Sequence, residues 1–288
     1  MGVAGKTVGG QAVMEGVLMR APEGLAIAVR RSDQTISVTR RKTASSVSRS
    51  RFFRLPIVRG AVALVDTLVI GLDALMYSAA ESGDEDLQLS KGTLGLTVLA
   101  GVALAVGLFF LLPTVLVRLL GYNVLHPVAA NLTEGAIRLL IFVGYISAIS
   151  AWSELRRFYQ YHGAEHKVIA CYEAGEELTV ANVKKHSALH LRCGTAFLLI
   201  VMVLSMLFFS LFGWPSLIVR VVLRILFLPL VAGLAYEVIK FSARSTSRVW
   251  RLVMWPGLLL QRLTTREPDD AQVEVAIAAL KAALEPAN

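Results

Sequence analysis

Charged residues are scarce in this chain. Asp, Glu, Lys and Arg make up 17% of its 288 residues, whereas soluble domains average about 25%. Hydrophobic residues account for 55%, and the mean hydropathy is +0.61. This balance argues against a pair of ordinary soluble domains and predicts one membrane domain with small soluble appendages.

Several other features are missing. The chain has two cysteines, Cys171 and Cys193, so no disulfide framework is expected beyond a single pair. It contains neither a nucleic-acid recognition motif nor a P-loop, so despite a net charge of +8 we expect no nucleic acid partner and no ATP-driven pump. No signal-peptide core is expected, because the first apolar positions are interrupted by Lys6, Gln11, Glu15 and Arg20.

Long uncharged runs are what the sequence has instead. Residues 93–117 form a run of 25 without a charge, and a membrane-spanning helix needs about 20. With three further apolar stretches, this run predicts transmembrane helices at 93–117, 132–152, 194–213 and 216–241. We therefore expect a mainly α-helical membrane protein with about four transmembrane helices.

Two other apolar segments do not read as ordinary spans. In 57–80, the residues Arg59, Asp66 and Asp73 are seven apart, nearly two helical turns, so they share one face. Residues 250–263 are too short and too basic to span, and they predict a helix in the membrane interface.

Basic residues indicate the orientation. Segments 153–193 and 242–288 carry six Lys or Arg each, whereas 118–131 carries one and 213–217 none. Because cytoplasmic loops are enriched in Lys and Arg, both termini and 153–193 are predicted to be cytoplasmic, in a bacterial inner membrane. A spanning 57–80 would contradict this orientation, so we expect that helix to be re-entrant, interfacial or packed on the bundle.

The N-terminal region, residues 1–54, is predicted to be β-rich and soluble. Residues 25–29 and 35–39 flank a turn and suggest a hairpin. The preceding 9–20 reads as another strand or as an ordered glycine loop. Six basic residues in 40–54 predict a linker beside anionic headgroups.

The rest of the chain divides into two parts. The membrane domain, residues 55–263, contains the histidine-rich cytoplasmic segment 153–193. Residues 264–288 then predict an amphipathic soluble helix, because Val273, Ile277 and Leu280 fall on one stripe.

Four of the five histidines lie between 162 and 190. His162 and His166 are four apart, so on a helix they point the same way and can share a metal ion. Glu165 completes the order H-x-x-E-H, in which the glutamate can act as general base. His186 and His190 form a second such pair, which we expect on a second helix capped by Thr179.

The preferred ligands are His162, His166 and His190, with His186 or Glu173 completing the shell of a divalent metal ion, preferably zinc. Cys193 is a rival fourth ligand, and it would close the shell and indicate a structural site. The remaining candidates for the shell or its surroundings are Cys171 and Glu15. The alternative is that the histidines bind lipid headgroups or helix ends, and that Glu15 lies in an exposed hairpin.

Polar residues inside the apolar helices form another candidate group. Arg224 lies deep in a predicted span, where charge is costly, while Arg220 is expected to reach the outer surface. Glu237 lies near the inner end of the same span. Asp66 and Asp73 either complete a metal shell, bind Arg224, or line the solvent face of an interfacial helix.

Several motifs together resemble the YqhQ-like family of bacterial membrane proteins. They are GGQAVMEGVLMR at 9–20, Pro56 with Arg59-Gly60, YHGAEHK at 161–167, CYE at 171–173, H-x-RCGT at 190–195 and LTTREP at 263–268. The resemblance covers nearly the whole chain, although Leu191 stands where the family usually has proline. It implies a membrane protein of the kind described as a predicted metal-dependent enzyme, a description inferred from the same histidines.

Three functions are compatible with these patterns. The first is a metal-dependent membrane enzyme, preferably a hydrolase acting on a lipid-linked or membrane-peptide substrate. The second is a carrier for an ion or an anionic lipid head, with Arg224 and Glu237 along its path; the absence of obvious inverted repeats argues against it. The third is a non-catalytic membrane scaffold.

Overall fold

An N-terminal antiparallel sheet precedes a series of helices. The structure, a computed structural model, describes residues 8–41, 46–83, 91–121, 127–242, 245 and 247–285. The strands are β1 (Gly9–Val13), β2 (Gly16–Arg20), β3 (Leu25–Arg30) and β4 (Ile36–Arg41), paired in chain order. The predicted hairpin is therefore confirmed, and 9–20 forms two strands rather than a glycine loop.

The helices that follow the sheet vary widely in length. They are α1 (Val58–Glu81), α2 (Lys91–Val106), α3 (Leu112–Leu119), α4 (Pro127–Ser150), α5 (Ser153–Glu173), α6 (Val180–Lys184), α7 (Gly194–Ser210), α8 (Leu217–Ser242), α9 (Arg248–Thr264) and α10 (Asp270–Leu284). A π-helical turn, Gly107–Leu111, joins α2 to α3, so that these three elements form one continuous apolar helix.

Both faces of the sheet are covered. Because side chains alternate along a strand, Val17 and Met19 join a core with α5 and α10, whereas Leu18 joins a second core with α1. The sheet is therefore the middle layer of a three-layer arrangement, with α5 and α10 on one side and α1 on the other.

Helix α10 is the predicted soluble C-terminal helix. Asp269 caps it by accepting a hydrogen bond from the Gln272 backbone, and the Gln272 side chain accepts one from the Asp269 backbone in return. Val273 and Leu280 are fully buried against the sheet. The apolar stripe seen in the sequence thus closes the core of the soluble layer.

Helix α1 has two different faces. Gly71 approaches Gln11 of β1, Ala74 is buried in the second core, and Ser78 accepts a hydrogen bond from the Met14 backbone. The opposite face exposes an apolar stripe made of Val65, Leu68, Val69, Leu72 and Met76. One face of α1 therefore packs along the N-terminal sheet, and the opposite face is apolar and exposed among the residues that the structure describes.

The charged residues of α1 are engaged locally. Asp66 accepts a hydrogen bond from the Ser46 backbone, at 2.9 Å, and Asp73 pairs with Arg41. Neither binds Arg224, which corrects that alternative. The predicted basic linker forms short 3₁₀ turns at Ser46–Arg49 and Phe52–Arg54, and its residues 42–45 lie outside the described part.

Four helices are long and apolar enough to cross a membrane: Val58–Glu81, Gly95–Leu119, Pro127–Ser150 and Leu217–Ser242. The last three correspond to predicted spans. The remaining predicted span is α7, an apolar helix of 17 residues, and α1 joins the set by length and composition. The expectation of a mainly helical protein with about four membrane-compatible helices and a small N-terminal sheet is met at this level.

The prediction of a second histidine-bearing helix was wrong. Thr179 does cap a helix, by accepting from the Asn182 backbone, but α6 ends at Lys184. His186 and His190 follow it in an irregular segment. A residue far along the chain competes with the helical hydrogen bonds of His190. The Gln261 side chain accepts from the His190 backbone N–H at 2.9 Å and donates to the His190 carbonyl at 2.8 Å.

Candidate metal centre

Helix α5 carries His162, Glu165 and His166 on its buried half. Their i, i+4 spacing puts the two imidazoles on one side, with ring centroids 4.4 Å apart. Gly163 lets the segment after α9 cross the helix closely, since a Cβ there would lie 2.1 Å from the Arg266 carbonyl oxygen. The histidine pair is therefore held between the sheet, α10 and this crossing segment.

Both imidazoles are oriented by backbone carbonyls. The Nδ1 atom of His162 lies 2.7 Å from the Thr264 carbonyl oxygen, and that of His166 lies 2.6 Å from the Ala188 carbonyl oxygen. A carbonyl only accepts, so each Nδ1 carries the proton and each Nε2 keeps its lone pair. Metal-binding histidines are commonly oriented in this way.

Cys193 completes a group of three donors. Its sulfur lies 3.3 Å from His162 Nε2, and donor atoms of His162, His166 and Cys193 all lie within 4.8 Å of one another. The residue is the N-cap of α7, where the helix dipole favours negative charge. Two nitrogens and one sulfur in this arrangement form a donor set that suits zinc.

Glu165 lies beside this group in the interior. Burial raises the pKa of Glu165 to about 7, and the neighbouring His162 and the backbone N–H of Gly10 oppose that rise. Strand β1 passes very close: a Cβ at Gly10 would lie 2.8 Å from Glu165 Cγ. The N-terminal glycine motif therefore folds against the histidine helix and touches its glutamate.

His190 is a neighbour of the group, and its ring atoms have other partners. Its ring centroid is 5.7 Å from that of His166. Its Nε2 lies 3.4 Å from Glu173, which also pairs with Arg192, and its Nδ1 accepts from the Arg192 backbone at 3.4 Å. The hydrogen bond from His190 lowers the pKa of Glu173, and Arg192 adds to this effect against the opposing influence of burial.

His186 belongs to a second group, with Cys171 and Glu176. Donor atoms of the three lie within 4.8 Å of one another, and His186 Nε2 is 3.3 Å from the Glu176 carboxylate. Cys171 is fully buried, and burial raises the pKa of its thiol. His186, one of the two residues predicted to complete the shell around His162, His166 and His190, therefore lies in a separate group.

The Glu15 carboxylate, a candidate for the metal shell or its surroundings, is bound by other side chains. It forms a two-bond ion pair with Arg157, at 2.6 and 2.5 Å, and accepts from the Tyr161 hydroxyl at 3.2 Å. The hydrogen bonds that Arg157 donates to Glu15 raise the pKa of Arg157. Glu15 thus fastens the β1–β2 turn to α5 and does not lie in an exposed hairpin.

The polar residues of the apolar helices form two separate groups. Arg59 binds Glu237 through two hydrogen bonds, at 2.7 and 2.5 Å, and joins α1 to α8. Arg224 instead binds Glu134 of α4, at 2.6 Å. Arg220 binds the same glutamate and is buried, which corrects the expectation that it reaches the surface.

Sequence reasoning missed the groups that hold the candidate ligands. The Thr264 and Ala188 carbonyls and the Gln261 side chain carry no motif of their own. Nothing in the glycine-containing segment 9–20 indicated that Gly10 would contact Glu165. Glu134 and Arg138 are one helical turn apart in α4, but nothing local indicated that two arginines of α8 would join them.

The fold and the donor group define a mainly helical protein, with four helices compatible with a membrane and a small sheet packed on a histidine-bearing helix. The chain belongs to the family described as Protein of unknown function (DUF1385), whose model matches residues 55–286. It is similar to the Uncharacterized protein YqhQ of Bacillus subtilis (strain 168), with 34% identity over 284 residues, covering 93% of this chain and 89% of that protein. No solved structure matches the chain.

Proposed function

We propose that this protein is a metal-dependent membrane enzyme, a hydrolase, whose ion is held by His162, His166 and Cys193. One observation carries the proposal. Both Nδ1 atoms are tied to backbone carbonyls, so both Nε2 atoms are available beside the Cys193 sulfur. His162 Nε2 lies 3.3 Å from the Cys193 sulfur, so a divalent ion that replaces the thiol proton can be held by all three donors.

Each residue has a role in this reading. A divalent ion with three protein ligands keeps a fourth position for water, whose pKa it can lower to about 7. Glu165 accepts and returns the proton at its carboxylate. Gly10 positions that carboxylate by its backbone N–H and by its lack of a side chain. His190 stays with Glu173, so it leaves the fourth position open.

The position of the group supports a membrane-associated substrate. Cys193 directly precedes the apolar helix α7, and His162 contacts the end of α9 through Thr264. The donors therefore lie where the soluble layer meets the apolar helices. This place suits a lipid-linked or membrane-peptide substrate in the inner leaflet of a bacterial inner membrane. In this proposal both termini of the protein lie in the cytoplasm.

Cobalt substitution tests the ligand set without a known substrate. Protein loaded with Co²⁺ should show a thiolate-to-cobalt charge-transfer band. We expect Cys193→Ser to lose the band and His162→Ala to lose the ion, while the matched control Cys171→Ser keeps both. Retention of the band in Cys193→Ser, or its loss in Cys171→Ser alone, contradicts the assignment.

A second measurement separates an enzyme site from a structural one. Azide added to the cobalt protein should change its spectrum, because an open position accepts an outside ligand and a closed shell does not. We expect Glu165→Gln to retain the metal and the azide response while losing the protein's function in cells. A wild-type spectrum indifferent to azide would leave only the structural reading.

A further inference from the structure

An unusual charge cluster lies at the other end of the bundle. Glu134 of α4 is 1% exposed and is bound by three arginines, Arg138, Arg220 and Arg224. Thr114 also donates to it, at 3.1 Å. Three guanidinium groups against one carboxylate leave an excess of two positive charges, and buried charge of this kind is costly unless it is paired.

The cluster is built into the fold. Pro113 has no N–H, so the Phe109 carbonyl four residues earlier lacks its helical donor. Arg138 takes this carbonyl through its Nε atom, at 2.7 Å, within the π-helical turn. Arg220 stacks on the Trp214 ring, 3.7 Å from its centroid. Arg138 and Arg220 are therefore each held in place by a contact besides their bond to Glu134.

A cleft opens beside the two arginines of α8. It is lined by Asn131, Phe209, Phe212, Gly213, Pro215, Arg220, Leu223 and Arg224. Arg220 is 4% exposed, and its Nη1 atom has no hydrogen-bond partner among the residues that the structure describes. A buried, charged donor without a partner thus borders a cleft whose other walls are largely aromatic and apolar.

We infer that this cleft is an anion-binding site for a phosphate group, held by Arg220 and Arg224. A phosphate supplies the missing negative charge, accepts from the unpartnered Nη1, and matches the planar guanidinium geometry. The aromatic walls suit the glycerol and acyl part of a phospholipid, although a free phosphate ion offers the same chemistry. The site is independent of the proposed enzyme function.

The two sites lie at opposite ends of α4. Glu134 is near its beginning, and Ser150, its last residue, accepts a hydrogen bond from Arg266 beside the histidine helix. Sixteen residues at 1.5 Å per residue separate them by about 24 Å. An anion in the cleft therefore does not share ligands with the metal group.

Thermal unfolding of the detergent-purified full chain tests the inference. Inorganic phosphate in one arm, and micelles containing phosphatidylglycerol in the other, should raise the unfolding temperature if they bind. We expect Arg220→Gln to weaken the apparent affinity by about tenfold or more, the usual effect of losing a charged hydrogen bond. Lys281→Gln, which removes one exposed positive charge from α10, is the matched control and should bind as the wild type does.

Leu223→Trp provides a second variant that keeps every charge. The indole ring of the tryptophan should fill the cleft and abolish the rise in unfolding temperature. This variant therefore tests the site even if Arg220→Gln fails to fold. A response to both probes indicates a site open to free anions, and a response to phosphatidylglycerol alone indicates a lipid headgroup. If neither probe stabilises the wild type more than Leu223→Trp, the inference is wrong.

Discussion

A missing methyl group sets the position of Glu165. An alanine at Gly10 would place its Cβ 2.8 Å from Glu165 Cγ and equally close to the Leu18 carbonyl oxygen. Its neighbour Gly9 is exposed, and a Cβ there would meet nothing within 4 Å. The two adjacent glycines therefore form a matched pair for substitution.

We expect Gly10→Ala to destabilise the protein by about 1–3 kcal/mol, the usual cost of overpacking. It should also impair the protein's function in cells, while the metal and the azide response of the cobalt protein are kept, because it moves Glu165 and not the ligands. Gly9→Ala should change neither stability nor function. Unfolding temperature and a functional assay in cells measure the two properties, and equal effects of the two variants would contradict the contact.

Gly163 controls the orientation of His162 in a similar way. A Cβ at this position would lie 2.1 Å from the Arg266 carbonyl oxygen and push away the segment that provides the Thr264 carbonyl. We expect Gly163→Ala to lower metal affinity by about 10- to 100-fold, as loss of a ligand's supporting hydrogen bond typically does.

Gly144→Ala is the helical control for this substitution. It lies on the exposed side of α4, where a Cβ would meet nothing within 4 Å. Its metal affinity, measured by competition with a chelator, should equal that of the wild type. If Gly163→Ala binds the ion as tightly as this control, the Thr264 carbonyl does not support His162.

At the scale of elements, α1 combines two features that seldom occur in one helix. It is one of the four membrane-compatible helices, and Gly71, Ala74 and Ser78 face the N-terminal sheet. Its exposed apolar stripe suits the plane of a membrane surface. We therefore propose that α1 lies in the interface, with both of its ends on the cytoplasmic side.

A cysteine at Ser82, just after α1, tests this placement. Both natural cysteines are buried, so Ser82→Cys should react with an impermeant maleimide only after cells are permeabilised. Ser216→Cys, which is exposed between α7 and α8, should react in intact cells. Labelling of Ser82→Cys in intact cells would mean that α1 spans the membrane.

The sequence predicted the parts of the site that depend on local spacing. His162 and His166 share a side of α5 because four residues are about one helical turn, and the strand alternation predicted the hairpin of β3 and β4. The partners of the histidines are not local: the Thr264 carbonyl is 102 residues from His162. His190 was placed on a helix because the competing contact with Gln261 comes from 71 residues away.

At the scale of the whole molecule, the sheet and the helix that carries His162 and His166 share one core. Tyr161, Val168 and Cys171 of α5 pack in the same cluster as Val17 of the sheet and Leu280 of α10. A loss of packing at α10 should therefore reach the ligands, although α10 provides none of them.

Leu280→Ala tests this connection. Leu280 is fully buried, and such a truncation costs about 2–5 kcal/mol. We expect a lower unfolding temperature together with weaker metal binding. The adjacent Lys281→Ala, on the exposed side, should stay within about 0.5 kcal/mol of the wild type. Normal metal affinity in a destabilised Leu280→Ala would mean that the two regions fold separately.

The order in which the ribosome delivers the chain has a consequence for this core. The sheet is synthesised long before α10, so the strand face that α10 covers stays uncovered while the helices between them are made. The Thr264 carbonyl that orients His162 is made after all three candidate donors. His162, His166 and Cys193 therefore acquire their final arrangement only after Thr264 and α10 have been synthesised, and a nascent chain should bind an ion at these donors only after that point.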